Sequence, residues 1–328
     1  MSTGVDSIRV ALAGDTMLGR GVASRLGEQA ADSLFSPEVV EVARAADLFV
    51  LNLECCISDR GDPWPDPRKP FFFRAPPAAV DALAILGVDC VTCANNHALD
   101  YGEEALLDTL ERLDAAGIGH VGAGPDLETA RRSIVLEARG FRLAVVGATD
   151  HPRAFGAGPG KPGVAFADLE GGMPAWLTEA IGGAAADPGL DAVLVTPHWG
   201  PNMSPDPVPH VRRAARTMLR AGATVVAGHS AHVFQGVQGR VLYDLGDFID
   251  DYAVDPVLRN DLGLLWVVEL DGAGPARIEA YPLRLDFCHT RLADGADRDW
   301  ITRRLAEACT GFGTPVGEED GRLVVEPG

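Results

Sequence analysis

Six short apolar runs alternate with helical patterns along the first two-thirds of the chain. The runs are rich in Val, Leu and Ala and are apolar at nearly every position, which is typical of strands covered on both faces. Three of the four helical segments end at a glycine, as helices commonly do. The predicted strands are residues 8–13, 48–53, 89–93, 143–148, 192–196 and 224–227, and the predicted helices are residues 78–86, 103–116, 174–186 and 211–221. This alternation predicts an α/β fold.

The last third of the chain has a different pattern. Residues 240–245, 264–270 and 276–285 have the character of strands joined by tight turns, which predicts antiparallel pairing, and a helix is expected at residues 298–308. The charged, proline-rich segment 59–70 is long for a connection, and it is either a substrate loop or a surface excursion. We expect one domain over residues 1–328, with a catalytic core at about 8–255 and C-terminal strands and a helix at 256–328.

Composition and charge exclude several classes of protein. The 328 residues are 47% hydrophobic and 23% charged, as in folded globular proteins. The 28 Lys and Arg against 47 Asp and Glu give a net charge of −19, which repels nucleic acid and anionic lipid. No apolar run approaches the roughly 20 residues of a membrane span, and residues 1–6 lack a basic signal-peptide start. We therefore expect a cytoplasmic protein with buried free thiols and no nucleic-acid or membrane partner.

Polar residues follow the predicted strands at the points where the strands end. These residues are Asp15, Glu54, Asn95, Asn96, His97, His198, His229 and His232. Because the carboxyl ends of the strands in an open α/β sheet share one edge, we expect these side chains to converge. His, Asp, Glu and Asn side chains bind divalent cations such as Mn, Fe and Zn, or Mg and Ca where oxygen ligands dominate. The sequence thus predicts one or two divalent metal ions of open identity.

Five motifs carry a resemblance to a known family. They are Gly-Asp-x-Met-Leu-x-Arg at 14–20, Asn-Leu-Glu at 52–54, Asn-Asn-His-Ala-Leu-Asp-Tyr-Gly at 95–102, His-Trp-Gly at 198–200 and Gly-His-x-x-His-Val-x-Gln at 228–235. In order and spacing they resemble the CapA-like (poly-γ-glutamate capsule synthesis) family of the calcineurin-like metallophosphoesterase superfamily. The resemblance covers about residues 8–255. It implies a four-layer α/β/β/α metallophosphoesterase-like sandwich with a metal site.

The resemblance also implies a role for each motif residue. A first metal would lie on Asp15 and His232 and a second on Asn96, His198 and His229, with Glu54 between them. His97 would face the substrate as an acid or a base, and Asp100 would orient it and raise its pKa. Arg20 would bind an anion or a carboxylate, or else form a salt bridge. Asp247, Asp250 and Asp251 are expected at a solvated loop edge, although one of them could face the site.

Two positions depart from the pattern of the wider superfamily in a CapA-like way, and a third departs from the pattern of capsule proteins. Met17 stands where the wider superfamily has a histidine, and Leu53-Glu54 stands where that superfamily has Gly-Asp. The His-Trp-Gly motif is followed by Pro201-Asn202-Met203, whereas capsule proteins usually continue to a glutamate. Capsule proteins are also commonly anchored or exported. These differences weaken the expectation of ordinary phosphoester hydrolysis and of a capsule role.

Three functions are therefore considered. The first is metal-dependent tailoring of a peptide, as in the cytoplasmic lasso-peptide epimerase branch: epimerisation of an α-carbon by His97 and a second base from His198, His229 or His232. The second is dinuclear metal-dependent phosphoester hydrolysis, with His97 protonating the leaving group. The third is a non-catalytic metal-binding role linked to polyglutamate or capsule synthesis. The expected partner is a peptide or small-molecule substrate, and the sequence does not predict an oligomeric state.

Overall fold

Two β-sheets pack face to face in the computed structural model, which describes residues 7–327. Residues 1–6, which bore on the expectation about a signal peptide, lie outside the described residues. The strands are β1 (Ser7–Thr16), β2 (Leu48–Leu53), β3 (Cys56–Ile57), β4 (Arg74–Ala75), β5 (Cys90–Thr92), β6 (Gly119–Val121), β7 (Ala123–Gly124), β8 (Ile134–Ala138), β9 (Phe141–Thr149), β10 (Gly163–Val164), β11 (Ala192–His198), β12 (Val225–Ala227), β13 (Val237–Gln238), β14 (Val241–Leu242), β15 (Asp247–Ile249), β16 (Leu262–Asp271), β17 (Pro275–Leu285), β18 (Thr290–Leu292), β19 (Val316–Glu319) and β20 (Arg322–Val325).

Eight α-helices accompany the strands. They are α1 (Arg20–Glu28), α2 (Pro37–Arg44), α3 (Ala79–Leu86), α4 (Gly102–Ala115), α5 (Leu127–Ala130), α6 (Ala175–Ala186), α7 (Pro209–Ala221) and α8 (Gly295–Thr310), with 3₁₀ turns at Ala31–Leu34 and Arg153–Phe155. Local sequence fixes several of their ends. The hydroxyl of Ser36 caps α2 by accepting the amide of Val39, and Pro37 occupies the first helical position. Among residues 7–327, no helix combines the length and apolar character that a membrane crossing requires.

The strand order explains how the two sheets are built. The first sheet runs β19-β20-β17-β16-β1-β2-β5-β6, with β15 paired to β1 and β18 paired to β17. The second runs β13-β14-β12-β11-β9-β8. The pairs β1/β2, β2/β5 and β5/β6 are parallel, as are β9/β11, β11/β12 and β12/β14. The carboxyl ends of both parallel sets therefore carry the turns that hold the candidate chemistry.

Three apolar clusters fill the layers. Along β1, Val10 and Leu12 point into the cluster between the sheets, whereas Ala11 and Ala13 point toward the cluster under α2, α3 and α4. This alternation follows from the period of two along a strand, and it explains why the run is apolar on both faces. A third cluster packs α6 and α7 against β9 and β11. The four-layer α/β/β/α sandwich expected from the sequence is thereby confirmed.

The C-terminal third departs in part from expectation. The antiparallel hairpin of β16 and β17 is confirmed, as is the terminal helix α8. The strand expected at 240–245 shrinks to Val241–Leu242, which pairs antiparallel with β13, as expected, and also parallel with β12. The strand stops there because the carboxylate of Asp244 turns the chain by accepting the amides of Ala231 and Gly246, at 2.8 and 2.9 Å. The helices α1 and α2 and the strand β15 were not predicted.

The short strand β15 lies parallel beside the end of β1, with Asp247 opposite Asp15. The approach is close, because the amide of Asp15 donates to the carbonyl of Gly246 at 2.9 Å. A Cβ atom added to Gly14 would lie 1.7 Å from that same carbonyl oxygen. Only glycine at position 14 therefore lets β15 reach β1 without a shift of the backbone.

We predict that Gly14→Ala lowers the free energy of unfolding by about 1–3 kcal/mol, because the new methyl group forces β1 and β15 apart. Gly183→Ala is the matched control, since Gly183 lies in α6 with nothing within 4 Å of an added Cβ. That change should stabilise the protein by about 0.5–1 kcal/mol. Urea unfolding followed by circular dichroism measures both, and equal effects of the two substitutions would contradict the close approach.

Candidate metal centre

Four side chains form a buried cluster at the carboxyl ends of the strands. Asp15, Glu54, His232 and Asp247 each offer one ligand atom, and these atoms all lie within 4.8 Å of one another. Asp15 is the penultimate residue of β1, Glu54 follows β2, His232 lies in the turn after β12, and Asp247 begins β15. The parallel register of β1 with both β2 and β15 is what brings the three carboxylates together.

The position of Asp247 corrects the expectation of a solvated loop edge. Asp247, Asp250 and Asp251 are all buried. The apolar side chains of Phe248 and Ile249 pack in the core, and they carry the flanking acids inward with them. Asp247 then reaches His232, with 2.9 Å between its Oδ1 and the imidazole Nδ1. The sequence held little sign of this burial, because Phe248 and Ile249 are only two apolar residues among the acids.

Asp15 lies between two groups of candidate ligands. Its Oδ2 is 3.3 Å from Nδ1 of His232, while its Oδ1 is 4.0 Å from Nδ1 of His198 and 3.9 Å from Nδ1 of His229. The side-chain amide of Asn52 donates to Oδ1 at 2.7 Å and fixes this orientation. From the sequence, Glu54 was expected to lie between the two groups. Glu54 lies beside His232, with 3.9 Å between its Oε2 and the imidazole Nδ1.

The turn that carries His229 and His232 is held in an unusual backbone conformation. Ser230 and His232 have positive φ angles of 112° and 58°. Such angles are costly for residues other than glycine and persist only where neighbouring contacts enforce them. Here Asp244 accepts the amide of Ala231, and the amide of Ser230 donates to Oδ2 of Asp15 at 3.3 Å. The turn is therefore shaped around the carboxylate cluster.

The two asparagines after β5 differ in their surroundings. Asn95 is structural, because its amide nitrogen donates to Oδ1 of Asn52 at 3.0 Å and to the carbonyl of Leu53 at 2.8 Å. The Oδ1 atom of Asn96 is buried and has no hydrogen-bond partner within the described part of the chain, and the same holds for Nδ1 of His229. His198 and His229 face each other across an isolated β-bridge. Buried oxygen and nitrogen atoms with a free lone pair are what a second cation position needs.

Burial dominates the electrostatics of the cluster. It raises the pKa of Asp15, and it raises the pKa of Glu54 well above its usual range, with the nearby Asp15 charge adding to the effect on Glu54. Burial acts to lower the pKa of His232, but the carboxylates of Glu54 and Asp15 outweigh it and the pKa is raised. Neither oxygen of Glu54 has a hydrogen-bond partner among residues 7–327. Buried carboxylates without partners are costly, so the donor set fits a divalent cation.

His97 and Asp100 form a hydrogen-bonded pair beside the cluster. Nδ1 of His97 is 2.6 Å from Oδ2 of Asp100, which also accepts the amide of Phe73 at 2.6 Å. The imidazole stacks on the ring of Phe73 with 3.9 Å between centroids. Burial lowers the pKa of His97 to about 4, against the partial opposing effect of Asp100. The sequence-based expectation of a raised pKa was wrong, because desolvation outweighs the carboxylate.

A cleft of about 550 Å³ opens beside this pair. Its walls include Arg20, Phe71, Phe73, His97, His232 and Tyr252. The guanidinium of Arg20 pairs with Asp251, with 3.0 Å between NH2 and Oδ1, and it lies over the rings of Phe73 and Tyr252. Arg20 thus forms the salt bridge that was one of its two expected roles, and its partner is Asp251. It stays 37% exposed at the wall of the cleft.

The proline-rich loop of residues 59–70 packs against the site. Nζ of Lys69 lies 2.8 Å from Oδ1 of Asp100 and donates to the carbonyl of Asn96 at 3.0 Å. Lys69 and Asn96 also line a second cleft of about 400 Å³, together with Trp64, His151 and Phe155. Lys69 was not predicted, since only the unusual length and composition of its loop pointed to this region.

Comparison with known proteins agrees with the motifs. Residues 9–252 match the model of the family described as bacterial capsule synthesis protein PGA_cap. The chain belongs to this family. It is 30% identical to a probable polyglutamine synthesis accessory protein of Mycobacterium tuberculosis, over 100% of this chain and 98% of that protein. It is 32% identical to the PGA biosynthesis protein CapA of Bacillus subtilis, over 75% of this chain and 64% of the relative. The capsule biosynthesis protein CapA of Bacillus anthracis is 27% identical, over 98% and 78%.

We predict that this PGA_cap protein is stabilised by divalent metal and that Glu54 is responsible for much of the effect. Mn²⁺ should raise the Tm of the wild type by about 5 °C over the chelated protein. In the chelated state, Glu54→Gln should be more stable than the wild type by about 1–3 kcal/mol, because it removes a buried carboxylate that has no partner. It should also lose most of the response to metal.

Glu279→Gln is the matched control for this substitution. Glu279 is buried but paired with Arg9, Arg277 and Arg322, so its replacement should destabilise the protein with and without metal. Thermal and urea unfolding measure both variants. A destabilised, fully metal-responsive Glu54→Gln protein would exclude Glu54 from the centre.

Proposed function

We propose that this PGA_cap protein is a metal-dependent phosphoester hydrolase that serves the synthesis of a glutamate- or glutamine-type polymer. The observation that carries the chemistry is one cleft that both His97 and His232 line. His97 is paired with Asp100, and His232 belongs to the buried carboxylate cluster. The glutamate- or glutamine-type polymer is inferred from the names of two relatives, which concern PGA or polyglutamine synthesis. A non-catalytic accessory role is the alternative that those same names support.

The donor set supports two cation positions on either side of Asp15. Asp15, Glu54, His232 and Asp247 would hold one ion, and His198, His229 and Asn96, with the other oxygen of Asp15, would hold the second. Divalent ions at such positions neutralise phosphoryl oxygens and lower the pKa of water. Mn, Fe, Zn, Ca and Mg all remain candidates for the pair as a whole.

His97 is suited to accept a proton. Because its pKa lies near 4, the imidazole is neutral at pH 7, and the carboxylate of Asp100 accepts the hydrogen on Nδ1. This arrangement leaves Nε2 as the basic atom. In hydrolysis, Nε2 takes a proton from the attacking water and returns it to the leaving oxygen, while Asp100 stabilises the cationic imidazole between these events. Lys69 and Phe73 hold Asp100 in place and act as positioning residues.

Arg20 is suited to bind an anionic group of the substrate. A guanidinium has five N–H donors, and Asp251 engages only Nε and one terminal nitrogen. The aromatic rings beneath Arg20 give it a fixed platform at the cleft wall. A peptide or a small molecule with one carboxylate or phosphate suits this cleft better than a bare polyanion, because the net charge of the chain is −19.

Epimerisation of an α-carbon in a lasso-type peptide is the second hypothesis. It requires two proton-transferring groups on opposite faces of the carbon atom. Among the described histidines, His97 and His232 line the main cleft, and His232 is 2.9 Å from Asp247 within the carboxylate cluster. His97 is then the one described histidine of this cleft that is free to act as a base. A single free base favours hydrolysis, because epimerisation requires two. A cytoplasmic location is also proposed, because all six cysteines are buried free thiols of the kind kept in reducing compartments.

We predict that His97→Gln lowers kcat about 10²- to 10⁴-fold toward p-nitrophenyl phosphomonoesters or phosphodiesters in the presence of Mn²⁺. The wild-type rate should stay level from pH 8 to about pH 5.5 and fall as the pH approaches 4. The base form of His97 exists above its pKa, and that pKa has moved down from 6.5. Steady-state rates over this pH range provide the test.

His120→Gln is the matched control, because His120 pairs with Asp114 on the surface and should leave the rate unchanged. Loss of activity in both variants would remove the argument for His97. If neither ester is turned over and solvent deuterium enters the α-carbon of a peptide without cleavage, the proposed hydrolysis is wrong and epimerisation is the reaction.

A further inference from the structure

We infer that Asp247 makes the cation position at His232 selective for a hard ion, Mn²⁺, relative to Zn²⁺, so that the two positions of the centre have different metal preferences. The inference rests on the metal centre of the proposed function but not on the reaction. It assigns to Asp247 a role that the strand-end motifs do not contain. The juxtaposition of β15 with β1 is the structural basis.

The backbone places Asp247 at the candidate metal centre, whatever conformation its side chain adopts. Asp15 and Asp247 are direct register partners on the parallel strands β1 and β15. The amide of Asp15 donates to the carbonyl of Gly246, and Gly14 permits this contact, since it has no Cβ to meet that carbonyl. The two carboxylates are therefore delivered side by side by the sheet itself.

The side chain of Asp247 is partly without a partner. Its Oδ1 contacts His232, whereas its Oδ2 is buried and accepts no hydrogen bond from an N–H or hydroxyl group within residues 7–327, and the same holds for both oxygens of Glu54. Another polar neighbour of Asp247 is the carboxyl of Asp250, a second acid that cannot neutralise it. Three carboxylates and one imidazole thus face a single position. When all three carboxylates are ionised, their negative charge exceeds what His232 neutralises, and a divalent cation would balance it.

Met17 does not compensate as a soft ligand. It stands two residues after Asp15, yet its side chain is fully buried in the cluster beneath α2 and α3. Its sulfur accepts the amide of Gly19 at 3.1 Å. The cation position at His232 therefore has oxygen ligands available from Asp247, Asp15 and Glu54, and no sulfur ligand from Met17.

The donor chemistry of the two positions is consequently unequal. At His232, three carboxylates and one imidazole form an oxygen-rich set, which suits Mn²⁺ because it accepts carboxylates and an occasional imidazole. At the proposed second position, His198 and His229 would supply nitrogen, and Asp15 and Asn96 would supply oxygen. Zn²⁺ favours such nitrogen-containing sets of low coordination number. Replacing Asp247 should therefore change the selectivity of one position only.

The test uses the full-length protein, stripped with chelator and equilibrated with Mn²⁺ and Zn²⁺, without substrate. Metal analysis gives the ions bound per chain, and electron paramagnetic resonance separates bound from free Mn²⁺. Asp247→His should shift the ratio of Zn²⁺ to Mn²⁺ affinity toward Zn²⁺ by about tenfold or more. Asp247→Asn, which keeps the shape, should weaken Mn²⁺ binding by about tenfold or more.

Asp108→Asn is the matched control, since Asp108 is equally buried but bonds to Ser58 and Arg112 away from the centre. It should keep the wild-type ratio within about twofold, well inside the change expected from a ligand substitution. An unchanged ratio in Asp247→His together with unchanged Mn²⁺ binding in Asp247→Asn overturns the inference while leaving the metal centre intact. A wild-type protein that binds neither ion overturns the proposed function as well.

Discussion

The burial of several acidic side chains at one place is the constraint on which the rest of this structure depends. Asp15, Glu54 and Asp247 sit at the ends of strands with almost no contact with solvent, and His232 is the one imidazole inside their cluster. The energetic cost of such burial is large unless a cation offsets it. The neighbouring groups reduce the cost without removing it: the amide of Asn52 and the backbone of Ser230 both donate to Asp15.

The two-sheet architecture is what lets ligands of different kinds meet. The first sheet delivers oxygen through β1, β2 and β15, and the second delivers nitrogen through His198 and the turn after β12. Asp15 faces both groups because it lies at the junction of the sheets. The strained turn at Ser230 and His232 is held in place by Asp244, which is itself a buried acid. Strain and charge are thus concentrated at the same place, as is common at functional sites.

Most of the fold could be predicted from the sequence because its strands are covered on both faces. Runs such as 48–53 and 192–196 carry this signal unambiguously, and they appear as β2 and the start of β11. The helix α1 was missed because its sequence is polar, with Val22 as its one buried residue. The strand β15 was missed because three residues between acids and turns carry no periodicity that a sequence reveals.

The residues of the candidate site that directly follow strands could be predicted from the sequence. The residues whose position depends on tertiary packing could not. Asp15, Glu54, His229 and His232 follow strands in the sequence, and the structure brings their side chains together around Asp15 and His232. The burial of Asp247 depends on how Phe248 and Ile249 pack, and the contact of Lys69 with Asp100 depends on a loop from another part of the chain. The low pKa of His97 was equally out of reach, since desolvation is a property of the folded site.

The strand β15 has a consequence for how the protein is made. Asp15 leaves the ribosome early, and Asp247 follows only after most of the chain has been synthesised, yet the two are register partners. The carboxylate cluster therefore cannot form in a nascent chain that ends before Asp247. No disulfide joins these segments, because all six cysteines are free. A cation bound by the finished cluster would act as a late, reversible cross-link that closes long loops of the chain.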